Sequence, residues 1–216
     1  EAVRAAARRQ TMREAAAQTV HTEAFLRLYQ ALRAEGLAPV VVKGIVCRAL
    51  YPQPELRPSS DEDLYLTAAE MPRFHAVLLR AGFVLTEPER DYRSAHEARY
   101  VHPDTGLVVE GHWALFPTEY AVYAALNVQL PDLMQRAQDW ESGGVTLRVP
   151  DVCDHLIFLL LHAFKHFISS GVGVRQLCDI ALWMRRFGAQ IDWQRVRAAL
   201  RATHSEGFAA AVIDAG

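Results

Sequence analysis

Three short stretches of the chain place acids, a lysine and a glycine where they could do chemistry. Asp61-Glu62-Asp63 opens the run DEDLYL, which alternates like a strand. Alternation puts Asp61 and Asp63 on one strand face, near enough to share a cation, and turns Glu62 to the other face. Two hard carboxylates on one strand edge suit Mg²⁺, or Mn²⁺ in its place, with water and phosphate oxygens completing the shell. A D-x-D pair alone also fits two solvated acids at a strand start. Val40-Val41-Val42-Lys43-Gly44 reads as a strand running into a glycine at a helix start. Glycine lets backbone approach a ligand closely, and a helix N-terminus offers free N–H groups to phosphate. In Leu107-Val108-Val109-Glu110-Gly111-His112-Trp113, Glu110 interrupts an apolar strand. A buried acid is costly unless it is paired or bound to metal.

The basic residues sharpen this reading. The chain has 21 Arg and only two Lys, Lys43 and Lys165. In so Arg-biased a chain, a retained lysine marks a place where a compact ammonium does what a guanidinium cannot.

The elements that must hold these residues follow from the hydrophobic pattern. Residues 1–35 read as a helix, with Ala24, Phe25, Leu28 and Leu32 at helical spacing and Gly36 as the stop. Strands are expected at 38–42, 63–66 and 83–85, with a helix at 69–80 and a proline-rich loop at 52–60. PDTG (103–106) is a hairpin turn between strands at 97–102 and 107–113. Beyond Thr118 strand signals are few, apart from 145–149, and helices are expected at 151–168, 176–187 and 193–201. The resulting fold class is α+β: a helical arm (1–36), a small mixed-sheet core (37–116) and a helical C-terminal domain (117–216).

Composition excludes several classes. With 216 residues, 51% hydrophobic and 22% charged, the chain is globular rather than disordered. A net charge of −2 disfavours general nucleic-acid binding. No uninterrupted apolar run approaches the roughly 18 residues of a membrane span, so no membrane partner is expected. Cys47, Cys153 and Cys178 have no paired spacing and no apolar leader precedes them, which fits core cysteines in a cytoplasmic protein. The chain lacks an initiator Met and stops inside a helical pattern, as a portion of a longer protein would.

Together the three stretches resemble the polymerase-beta-like nucleotidyltransferases, and within them the family of uncharacterised nucleotidyltransferases. The resemblance spans roughly residues 38–185. It rests on Lys43-Gly44, Tyr51-Pro52, the run from Arg57-Pro58 through Asp61 and Asp63, Glu110 followed by His112-Trp113, His162-x-x-x-His166, and Arg175 with Asp179. It implies transfer of a nucleoside monophosphate from a nucleoside triphosphate, ATP for preference, to a small-molecule, peptide or protein acceptor. Asp61, Asp63 and Glu110 would be catalytic metal ligands. Lys43, Gly44, Arg57, Ser60 and Lys165 would bind the nucleotide, with Lys43 and Arg57 neutralising the departing pyrophosphate. His112, His162, His166, Arg175 and Asp179 would wall the cleft. The chain departs from the family where Ile45 follows the glycine in place of serine, where Glu62 replaces an apolar residue, and where Glu110 replaces aspartate.

Helical projection puts Asp151, His155, His162 and His166 on one stripe, with Leu160, Leu161, Phe164, Phe167 and Ile168 opposite and packed inward. Three readings of the stripe stand open: interface histidines, a cleft wall, or a zinc site, the last without Cys or H-E-x-x-H support. For the whole chain, a catalytically inactive nucleotide-binding or scaffold module and a helical metal-binding protein compete with the enzyme.

Overall fold

A computed structural model describes residues 1–87 and 96–215. Helix α1 (Ala2–Ala34) buries Phe25, Leu28, Tyr29 and Leu32, while its first turns are exposed. Tyr29 anchors it: the hydroxyl donates to Pro39 O at 2.8 Å and accepts from Arg148 N at 2.8 Å. Then follow β1 (Val40–Val41), α2 (Ile45–Arg48), a 3₁₀ turn (Pro54–Leu56), β2 (Glu62–Tyr65), α3 (Met71–Arg80), β3 (Val84–Leu85), β4 (Glu97–Val101) and β5 (Val108–His112). The second half contains α4 (Ala121–Asn127), α5 (Leu133–Arg136), β6 (Gln138–Ser142), β7 (Val145–Val149), α6 (Val152–Ser169), α7 (Val174–Phe187), α8 (Trp193–Ala202) and α9 (Glu206–Ala215).

The α+β class is as expected, but the sheet is larger. Among the described residues it has seven strands in the order β3-β4-β5-β2-β1-β7-β6. β7 joins the core edge by pairing in parallel with β1, and β6 pairs antiparallel with β7. β7 is the strand expected at 145–149, whereas β6 was not foreseen, and both extend the sheet beyond residue 116. The β6 residues QDWES are mostly polar because the strand is the sheet edge, half exposed.

One sheet face carries Leu64, Val109, Gly111 and Tyr100 against α3, with Phe74 meeting Tyr100 edge-on at 5.9 Å. Gly111 makes that packing possible, since a Cβ there would lie 2.5 Å from Phe74. Helix α6 closes over the other face. By length and composition it could cross a membrane, yet 10 of its 18 residues are buried in this protein. Its apolar length serves as the central core helix.

Its orientation follows the sequence reading only in part: Leu160 and Leu161 are buried as expected. Phe167 and Ile168 are exposed at 58% and 42%, and Phe164 and Phe167 pack on Phe208 of α9 at the rim. The histidine stripe points inward. It also splits in two. Asp151 caps α6 by accepting from Asp154 N at 2.7 Å. His155 is fully buried and packs on Trp183 at 4.1 Å between ring centroids. Only His162 and His166 reach the cleft.

Candidate active site

Strand pairing assembles the acidic floor. β2 runs parallel to β5 with Asp63 opposite Glu110, and β4 runs antiparallel to β5 with Glu97 opposite His112. Residues two apart share a face, so these side chains and Asp61 project together into one cleft of about 150 Å³. The loop before β2 is pinned from α1, where the buried Gln18 side chain accepts from Ser59 N at 2.8 Å. Ser59 Oγ donates to Asp61 O at 3.0 Å, and Ser60 Oγ to Asp61 Oδ1 at 3.0 Å. Ser60 thus orients an aspartate.

The opposite wall is basic. Lys43 Nζ lies 2.9 Å from Asp63 Oδ2 and 3.6 Å from Asp61 Oδ2. Lys165 reaches the same cleft from α6, together with His162 and His166. The two lysines converge on one space from separate walls. Burial raises the Asp61 carboxyl, but Lys43, the Ser60 hydrogen bond and Arg175 together outweigh it and hold the pKa below the ordinary value. Burial, then Lys43, pushes His162 well below the ordinary 6.5. Burial and Lys165 lower His166, so both rings are neutral near pH 7. Burial and Lys43 also lower Lys165, against the pull of Glu97.

Several expected roles change. Arg57 spends its fork elsewhere: Nε donates to Asp179 Oδ1 at 3.0 Å, Nη2 to Asp179 Oδ2, and Nη1 to Ser59 Oγ at 3.2 Å. Tyr51 also donates to Asp179 Oδ1 at 2.8 Å. Arg57 and Asp179 are a buried clamp between the loop and α7, so most of the Arg57 fork is engaged within the protein. Arg175 donates to Pro58 O at 2.9 Å and stands at the cleft's side mouth.

The turn at Gly44 has its first helical amide already engaged. The first amide of α2, Ile45 N, donates to Glu62 Oε2 at 2.8 Å, and Arg48 pairs with Glu62 Oε1. Glu62 is buried and paired behind the sheet, which explains an acid where an apolar residue is usual. Gly44 is needed for its φ of +56° and because a Cβ would fall 1.9 Å from Glu62 Oε2. Among the cysteines, Cys178 is exposed rather than core.

Sequence reading missed Glu97. It lies 3.2 Å from both His112 Nδ1 and His96 Nε2. Burial opposes its charge, but His96, His112 and Lys165 hold its pKa down to about 2. The signal was present: the PDTG turn fixes the hairpin register, and counting back from it sets Glu97 opposite His112.

The chain belongs to the family of uncharacterised nucleotidyltransferases, which matches residues 1–214. No curated protein is significantly similar in sequence. Among solved structures the chain is similar to the antibiotic-resistance factor ANT(2'')-Ia, with a TM-score of 0.60 and 14% identity over 89% of this chain and 95% of that one. It is also similar to an antigenic nucleotidyltransferase-like protein from Paracoccidioides brasiliensis, with a TM-score of 0.51 and 14% identity over 90% and 92%. At that identity the likeness establishes a shared nucleotidyltransferase-like fold.

Proposed function

We propose that the protein transfers a nucleoside monophosphate from a nucleoside triphosphate, ATP for preference, to an acceptor nucleophile and releases pyrophosphate. The reading rests on one observation above all: Asp61, Asp63 and Glu110 line a single cleft that two lysines enter from different walls. Three hard oxygen donors on adjoining strands fit a divalent ion such as Mg²⁺. When bound there, the ion supplies charge neutralisation and Lewis acidity to the triphosphate.

The chain's own groups do the rest. Lys43 leaves the aspartates for the phosphates, and Lys165 meets the same charge from above. An acceptor X–H approaches the α-phosphorus from the Glu110 side. The X–P bond forms, the P–O bond to pyrophosphate breaks, and Glu110 takes the acceptor's proton. The electron pair leaves with pyrophosphate, stabilised by the two ammoniums. Neutral His162 and His166 line the wall as hydrogen-bonding groups that add no permanent charge.

A nucleotide-binding module without catalysis is the second reading. The 2.9 Å Lys43–Asp63 pair and the engaged Ile45 amide favour it. The protein incubated with each triphosphate, Mg²⁺ and a cell extract separates the two. Transfer gives pyrophosphate and a product heavier by a nucleoside monophosphate, lost in Asp61→Asn. The binding module retains triphosphate and releases no pyrophosphate.

A further inference from the structure

The acidic floor includes a nitrogen donor. His112, buried on β5, points Nε2 at Asp63 Oδ1, 3.0 Å away, with Glu110 Oε2 at 3.6 Å. One ligand atom from each of Asp63, Glu110 and His112 lies within 4.8 Å of the others. Asp63 divides its oxygens, with Oδ2 facing Lys43 and Oδ1 facing the ring. Behind the ring, Glu97 Oε2 is 3.2 Å from Nδ1. Strand register fixes all of these positions, so none depends on a loop.

A neutral imidazole carries one ring proton. Held on Nε2, it bridges to Asp63 Oδ1, the hydrogen bond seen here. Held on Nδ1, it faces Glu97 and turns the Nε2 lone pair toward two carboxylate oxygens. In that tautomer the ring nitrogen and the two carboxylate oxygens form a set of donors that a bound cation would satisfy. A carboxylate behind the far nitrogen is also what orients metal-binding histidines and fixes their tautomer.

We propose that Asp63, Glu110 and His112 form a mixed nitrogen–oxygen site for a first-row transition ion of the Mn²⁺ class, with Glu97 as the residue that orients His112. The proposal rests on the metal-dependent reading above and deepens it. Mg²⁺ favours oxygen ligands in near-ideal octahedral geometry, whereas an imidazole nitrogen shifts preference toward transition ions. The cleft would thus select its ion through His112.

The test uses the intact chain without nucleotide, titrated calorimetrically with Mn²⁺ alone and with Mg²⁺ alone. Wild type is expected to bind Mn²⁺ more tightly than Mg²⁺. His112→Ala should lose Mn²⁺ affinity by about tenfold or more, and Glu97→Gln by about 10–100-fold, the range for residues that support a metal ligand. Mg²⁺ affinity should change far less in both. Electron spin-echo modulation of the Mn²⁺-loaded wild type should show imidazole nitrogen coupling, a readout that needs no variant to fold. Absence of that coupling, or unchanged Mn²⁺ affinity in His112→Ala while Asp63→Ala abolishes it, would overturn the proposal and leave the three-carboxylate reading standing. No binding of either ion by wild type would overturn both.

Discussion

The protein buries carboxylates in two different ways. In the helical half, Asp154 is wholly buried between Arg136, at 2.9 Å, and Arg195, and Asp179 is held through both oxygens by Arg57. In the cleft, Asp61, Asp63 and Glu97 meet lysine and histidine, and Glu110 meets a half-exposed Arg99 at 3.3 Å. A planar fork satisfies both oxygens of a carboxylate at once and cannot easily let go. An ammonium or imidazole engages one oxygen and can turn away. Acids gripped through both oxygens by arginine fasten elements together, whereas acids met by lysine or histidine, and Glu110 with its single contact to the half-exposed Arg99, remain available to a ligand. The way the partner engages the carboxylate thus separates scaffold from site.

Breaking the scaffold side should have the largest effect. Asp179→Ala leaves Arg57 buried without its partner, which costs about 3–5 kcal/mol. Chemical denaturation should show that loss directly. Asp61→Ala removes an acid held by Lys43 at only 3.6 Å and should cost under about 1 kcal/mol. Equal losses would erase the distinction.

Gly44→Ala comes next. The left-handed backbone and the clash with Glu62 predict about 1–3 kcal/mol of destabilisation, the range for strained backbone. Denaturation midpoints check this, and a neutral result would mean that Glu62 is not fixed beneath the turn.

On the site side, Lys43→Ala and Lys165→Ala should each weaken triphosphate affinity by about 1.5–3 kcal/mol, as for hydrogen bonds to charged groups. Calorimetry with a non-hydrolysable triphosphate reads this, and the melting temperature should barely move in Lys165→Ala. Full affinity in Lys165→Ala would remove the helical half from the nucleotide site.

A pH dependence is expected as well. Burial pushes the pKa of His155 down to about 3 from 6.5. The unfolded chain therefore binds a proton that the folded chain refuses, and stability falls as pH drops from about 6.5 toward 3. His155→Phe should flatten the difference in urea midpoint between pH 7 and pH 5. An unchanged difference would show that the ring is not excluded from water.

What was legible in the sequence follows the same division. Alternation in DEDLYL and the turn at PDTG are local, and they bring Asp61, Asp63 and Glu110 to one cleft. The lysine scarcity pointed to both walls. The Arg57–Asp179 clamp spans 122 residues, and no local period encodes it, so both residues were read as ligand-facing. β6 was missed because an edge strand needs little apolar sequence. The inward face of α6 was misread because burial there is shared between the sheet and α7–α9, and projection alone cannot say which neighbour lies on which side.

The central claim is that the Lys- and His-held acids form a metal-dependent triphosphate site. Binding of a non-hydrolysable triphosphate, titrated with and without Mg²⁺ in wild type and Asp63→Ala, tests it most directly. The account predicts binding that requires the ion in wild type and is abolished in Asp63→Ala, with the variant still folded by circular dichroism. Equal binding by the two proteins, or binding indifferent to the ion, would contradict it.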